Sequence, residues 1–321
     1  MSLFASWIGS SPPDAAIEIA ADRVAVGVVG ERGGGLVVQS YAVEPLPPGA
    51  VVASLTSSNV HNRVAVVAAL RTALDRAGTR ARRVALIVPD LAAKVSLVRF
   101  DTLPARREDL DQLVRWQVKK AAPFPIEEAV VTYTQSAAAG DGSAEFLVLT
   151  ARRDVIAEYE AVCDELKVYA GLVDLATLSV INLFLGGAEM PSGDWLVVHL
   201  RPEYTSIVIM RGEHVIFFRN RPEGDEATIA DLVHQTAMYY QDRLAGDRFS
   251  RVFLGGRGRV PGAVETARRS LEERLGALVE PIDPTRVAAL TDRISVTPEV
   301  MDVLGPLVGI AVRTRKDAVP A

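Results

Sequence analysis

One structural device is written twice in this chain, half a chain apart. "AIEIAADRVAVGVVGERGGGLVVQSYAVEPL" (16–46) reads as three short strands, with turns near Ala21–Asp22 and at "GERGGG". "DWLVVHLRPEYTSIVIMRGEHVIFFRNR" (194–221) repeats it, with turns at Arg201–Glu203 and Gly212. Runs of β-branched and apolar residues punctuated by turn residues predict an antiparallel meander each time. Each meander is followed by a helix and then an apolar strand. After the first, the helix is "NRVAVVAALRTALDRAG" (62–78), with apolar positions at 64, 67, 70 and 74 and Gly78 past its end. The strand is "RRVALIVPD" (82–90). After the second, a helix over 226–244 leads to the strand of "VFLGGRGRVPGAV" (252–264). A repeat of about half the chain excludes short-period solenoids. It predicts an α/β protein with two related mixed-sheet lobes.

Composition narrows the chemistry. A net charge of −5 gives no basic field for nucleic acid. Cys163 is the single cysteine, which excludes internal disulfides and cysteine-based metal sites and fits a reducing cytoplasm. No apolar run approaches 18 residues, so no membrane-spanning helix is predicted. The opening "MSLFASWIG" lacks a signal-peptide pattern, although Leu3, Phe4, Trp7 and Ile8 could form an apolar contact face. The four histidines have no metal-ligand spacing. There is no P-loop, Rossmann fingerprint or nucleophile elbow.

Between the repeats lies a block of different character. "LPARREDLDQLVRWQVKKAAPFPIEEAVVTYTQ" (103–135) gives a helix over 105–121, with Leu110, Leu113, Val114 and Val118 on one face, then a proline-rich loop and a strand. "EFLVLTARRDVIAEYEAVCDELKVYAGLVDLATLSVINLF" (145–184) gives strand, helix, short strand and helix. Helices at 263–276 and 298–315 close the chain. The duplicated pattern is that of the bilobal actin-like (ribonuclease-H-like) fold. With these blocks, "FLGGRGRVPGAVETARRSLEERLGALVEPIDP" (253–284) and "LGPLVGIAVRT" (304–314), the chain resembles the PilM family of type IV pilus assembly proteins, relatives of FtsA and of the cytoplasmic domain of GspL.

The resemblance implies a first lobe from 1–95, 168–193 and 305–321. It implies an inserted small α+β subdomain over 96–167 and a second lobe over 194–304. The insertion usual in the second lobe is missing, because only "NRPEGDE" separates meander and helix. An intact site of this kind would hold ATP and Mg²⁺ between the lobes. Here Glu18, Ala20 and Ala21 stand where the family has Asp, Gly and Ser. In the second hairpin His199 replaces the expected Asp, Pro202 has no N–H to offer, and Glu203 turns negative charge toward phosphate. Arg201 and the glycines Gly255 and Gly256 are the remaining candidates for nucleotide contact. No catalytic residue, metal site or cofactor is therefore expected; the alternative is an actin-like ATP-binding protein or ATPase with nucleotide-dependent assembly.

The function implied is a cytoplasmic scaffold, peripheral to the inner membrane through its partners. The implied partner is a PilN-like bitopic protein, held by its cytoplasmic N-terminal peptide; the assembly ATPase is a second candidate. The peptide groove is expected along 96–135 and the helix at 172–185, with Trp116, Phe124, Pro125 and Ile126 as contacts.

Overall fold

The computed structural model describes residues 13–138, 143–187, 190–223 and 229–316. The apolar face expected at Leu3, Phe4, Trp7 and Ile8 lies outside them. The first meander is β1 (Ala15–Ile19), β2 (Arg23–Arg32) and β3 (Gly35–Pro45), followed by α1 (Arg63–Ala77) and β4 (Arg83–Val88). The central block is β5 (Ala93–Phe100), α2 (Arg107–Lys119), β6 (Ala129–Ala138) and β7 (Ala144–Arg152). Then come α3 (Arg153–Asp164), β8 (Tyr169–Leu175) and α4 (Ala176–Gly186). The second meander is β9 (Asp194–Leu200), β10 (Tyr204–Arg211) and β11 (His214–Pro222). It leads to α5 (Ile229–Arg243), β12 (Arg251–Gly256) and α6 (Ala263–Leu275). Two three-residue strands, β13 (Val279–Pro281) and β14 (Ala288–Leu290), precede α7 (Pro298–Lys316).

The strand orders make the duplication explicit. One sheet runs β14-β3-β2-β1-β4-β8 and the other β11-β10-β9-β12-β13. In both, a meander is antiparallel and the next two strands lie parallel to its first strand. Apart from the added β14, each sheet has the same order, and the molecule has the bilobal actin-like fold. β11 ends at Pro222 and α5 begins at Ile229.

α4 and α7 pack against each other between the lobes. Gly309 of α7 makes that contact possible: a Cβ there would stand 1.8 Å from the Ser179 carbonyl oxygen. Strand alternation then decides what faces them. On β9, Trp195 and Val197 point into the interlobe core, while Leu196, Val198 and Leu200 join α5 and α6 in a separate core. Phe184, Trp195 and Phe253 meet in the interlobe core with ring centroids 4.4–5.9 Å apart. The lobes thus share an apolar core.

The small sheet, β5-β7-β6, has its own core on one face. Leu110, Leu113, Val114 and Val118 of α2 pack there against Phe146, Val148, Val131 and Tyr133, as the helix periodicity predicts. The other face of β7 carries Leu147, Leu149 and Ala151 into the core of the first lobe.

Candidate functional site

Two buried polar clusters occupy the space between the lobes where the hairpin turns approach. The first joins four charges. Glu18, at the end of β1, accepts hydrogen bonds from Arg201 Nη2 and, at 3.4 Å, from Arg23 Nη2. Arg23 Nη1 donates to Asp302 Oδ2 of α7 at 2.7 Å, and Arg201 Nη1 lies 3.6 Å from Asp302 Oδ1. All four side chains are buried. Two guanidinium groups thus face two carboxylates, and the cluster is neutral. Burial alone would raise the Asp302 carboxyl, but Arg23 and Arg201 hold it below its ordinary range.

Both hairpin turns spend their first amide internally: Ala20 N–H donates to the Arg23 carbonyl at 2.9 Å and Arg201 N–H to the Tyr204 carbonyl at 2.8 Å. Ala20 is buried and Ala21 is half-buried in its turn. Above the cluster, Arg257 of the second lobe pairs with Asp22 of the first hairpin.

The second cluster centres on Asp90, in the single 3-10 turn Asp90–Ala92 after β4. Its fully buried carboxylate accepts from Thr177 N (3.0 Å), from the Thr177 hydroxyl and from Ser206 Oγ (2.6 Å). Asp90 N–H donates to Tyr204 Oη at 3.0 Å. Burial pushes the Asp90 carboxyl up despite these donors. Since the Thr177 hydroxyl proton is directed at Asp90, His199 Nδ1 carries the proton it shares with Thr177 Oγ1 at 2.8 Å. β9 and β10 place His199 and Ser206 directly opposite one another. In the sequence His199 stands out only as a poor replacement for a Mg²⁺ ligand; Asp90, Thr177 and Ser206 carry no motif.

Burial, with Arg201 adding to it, holds the His199 imidazolium pKa down at about 3. An unfolded chain takes up that proton near its ordinary value of about 6.5. The unfolded state therefore binds more protons between those values, so the contribution is intact above about 6.5 and lost progressively as pH falls toward 3. Imidazole NMR is expected to show His199 neutral at pH 5, with urea stability falling from pH 7 to pH 5; a protonated His199 at pH 5 contradicts this.

Gly255 and Gly256 end β12 beside this cleft. Gly256 has φ +96°, and a Cβ there would sit 2.0 Å from the Leu200 carbonyl oxygen. That oxygen accepts from Arg257 N–H at 2.9 Å. A Cβ at Gly255 would meet Ile282 at 2.8 Å. Both glycines are thus required by packing against the protein's own backbone and side chains.

A groove of about 450 Å³ opens elsewhere, between the first sheet and the small sheet. All seven residues of β8, Tyr169–Leu175, line it, because β8 is a sheet edge and presents its backbone sideways. Opposite stands β6, also a sheet edge, contributing Val130 and Thr132. Leu149, Ala151 and Ile156 add apolar surface; Arg153 and Glu160 add charge. Thr132 Oγ1 is buried without a hydrogen-bond partner, an uncommon condition for a hydroxyl.

The residues expected to contact a partner sit on the other side of the small sheet. Val130 and Thr132 face the groove, whereas Val131 and Tyr133, the alternate positions of β6, face α2. Ile126 is buried in that α2-side core, and Phe124 packs against it half-buried. Pro125 is exposed, and Trp116 on α2 is 58% exposed with Lys120 Nζ 4.5 Å above its ring. Of the ranges 96–135 and 172–185, the groove takes Val130, Thr132 and Leu172–Leu175. Its remaining walls come from 149–160 and the start of β8, with Val88 and Ala93.

A sequence profile of the family described as type IV pilus assembly protein PilM matches residues 16–244. Among solved structures, the PilM–PilN type IV pilus biogenesis complex is similar with a TM-score of 0.80 at 18% identity, covering 96% of this chain and 99% of that one. A Bacteroides thetaiotaomicron protein with an actin-like ATPase fold and unknown function gives a TM-score of 0.49 at 8% identity, covering 90% of this chain and 95% of that one. The cytoplasmic domain of EpsL, an inner-membrane component of the type II secretion system of Vibrio cholerae, gives 0.44 at 9%, covering 77% and 82%. No curated protein sequence matches the chain.

Proposed function

Because the chain belongs to the type IV pilus assembly protein PilM family, we propose that it is a non-catalytic scaffold that holds a membrane partner's peptide in the β8–β6 groove. The observation that carries this reading is the pairing of an open apolar groove, walled by two edge strands, with an interlobe cleft filled by the protein's own charges. An extended peptide laid along β8 gains main-chain hydrogen bonds from the strand edge and side-chain contacts from Val130, Leu149 and Ile156. Thr132 and Val130 line the facing wall.

The partner is of the PilN kind, engaged through its cytoplasmic N-terminal peptide. Attachment to the inner membrane is indirect and the scaffold is cytoplasmic; among the described residues no helix is long and apolar enough to cross a membrane. The lobe boundaries implied by the family resemblance are part of the same proposal.

The nucleotide site is degenerate in this reading. Glu18 and Asp302 occupy the anionic positions against Arg201 and Arg23 that phosphate oxygens would need. Pro202 removes a turn amide, and the Gly256 backbone is closed by the Leu200 carbonyl. A phosphate would enter only by breaking buried ion pairs. Neither ATP nor Mg²⁺ fits these residues.

Titrating a synthetic peptide of the cognate PilN-like N-terminus tests the groove. Thr132→Arg, which fills the groove from an edge strand, is expected to weaken binding at least tenfold. Trp116→Ala is expected to leave it unchanged, because Trp116 lies across the small sheet. The reverse pattern would move the peptide site to α2. The exposed Trp116 and Pro125, supported from beneath by Phe124 and Ile126, form a separate contact face for a further assembly component such as the assembly ATPase.

A further inference from the structure

The groove is electrically lopsided along its length. At one end Ala151 pairs with Ala93 and Leu175 with Val88, and Arg153 Nη2 donates to the Ala129 carbonyl at 3.3 Å. At the other end β8 starts at Tyr169, just after the turn that follows α3. Glu160, about 10 Å along α3 from Arg153, lines the wall on that side. Three charged residues line the groove: Arg153, Glu160 and Asp174. Arg153 is exposed, and Asp174 is paired with Arg313. Glu160 is half-buried, and among the described residues no cation pairs with it. Burial raises its carboxyl above the ordinary range, and Asp164, one turn further along α3, raises it further. The free protein thus carries a half-buried carboxylate beside a like charge, an arrangement that costs stability.

We propose that Glu160 is a cation subsite at the Tyr169 end of the groove, taking a lysine or arginine side chain or the N-terminal ammonium of the bound peptide. The proposal rests on the groove reading above. A cation brought to Glu160 offsets the repulsion from Asp164 and donates a charge-assisted hydrogen bond to a half-buried acceptor. The ligand is of a kind that carries such a group, because the cytoplasmic flank of a membrane-spanning helix is enriched in Lys and Arg. At the opposite end Arg153 is exposed, and an ion pair with it in water is worth little. Selection by charge therefore falls on Glu160. The groove distinguishes a basic extended peptide from an acidic one of the same apolar pattern, and the position of the cation sets the register along β8.

Glu160→Gln keeps the shape of the side chain and tests this with the synthetic PilN-like N-terminal peptide. Affinity is expected to fall about tenfold, the low end of measured coupling between close interfacial charges. N-acetylating the peptide, or replacing its Lys and Arg residues with Gln one at a time, should reproduce that loss at one position. The same peptide change should cost the Glu160→Gln variant nothing further. Affinity within twofold of wild type in Glu160→Gln, or losses that add in full at every peptide position, overturns the cation subsite. Thr132→Arg separates the two readings. If it weakens binding and Glu160→Gln does not, the groove stands without the subsite; if neither weakens binding, the groove reading fails as well. A wild-type protein that binds no peptide overturns both.

Discussion

Replacing Arg201 with methionine is expected to destabilise the protein by about 3–5 kcal/mol, the range for removing one partner of a buried ion pair. Arg201 brings the turn of the second meander into the cluster with Glu18, Arg23 and Asp302. Without it, two buried carboxylates share the single guanidinium of Arg23. The double variant Arg201→Met with Glu18→Gln is expected to recover a large part of the loss, because it removes the charge left without compensation. Urea unfolding of the two variants measures this. Equal losses in both would mean that packing of the arginine stem, not charge balance, decides the effect. The same result bears on nucleotide binding, since an arginine available to a phosphate would tolerate replacement in the nucleotide-free protein.

Gly256→Ala is expected to cost roughly 3 kcal/mol or more, combining left-handed backbone strain with a forced movement of the chain. Its φ is +96°, and the new Cβ would stand 2.0 Å from a carbonyl oxygen that already accepts a hydrogen bond. Its neighbours are the Leu200 carbonyl group and the ring of the buried His199, neither of which is a flexible side-chain end. Gly255→Ala meets only the Ile282 side chain, and a loss of about 1–2 kcal/mol is expected from overpacking. Thermal unfolding should rank the two in this order with or without Mg-ATP. If the Gly256→Ala loss appeared only in the presence of nucleotide, the glycine pair would be a ligand contact and not a packing requirement. A Gly256 variant that fails to respond to ATP is therefore informative only beside its own unfolding curve.

The repeat was legible because both meanders are runs of β-branched and apolar residues punctuated by turn residues, and each leads through a helix to a further apolar strand, β4 or β12. α2 was legible from the spacing of Leu110, Leu113, Val114 and Val118. β13 and β14 were not, since three residues carry no period. Their pairing to β12 and β3 is decided by tertiary contact.

The cleft chemistry was half visible. Substitution of hairpin residues could be read directly, but Arg23 and Asp302 are far apart in the chain and no local pattern joins them. Asp90 and Asp174 did leave a signal: each is a lone carboxylate against an apolar run, in "ALIVPD" and "AGLVDL". A buried strand end that spends a charge needs a partner, and both have one. The partner face was harder to place. The sequence puts Trp116 and Phe124 in the same small block of the chain but does not say which side of its sheet they take. The alternation of β6 separates Val130 and Thr132 from Val131 and Tyr133. Only the packing of α2 shows which pair faces the groove.

The central claim, a scaffold whose cleft is filled by its own charges and whose ligand is a peptide, is tested most directly by one thermal-shift experiment with two ligands. At 5 mM Mg-ATP the melting temperature should not move, while a saturating PilN-like N-terminal peptide should raise it, because only a ligand that binds the folded state stabilises it. A rise with Mg-ATP and none with the peptide would contradict the account.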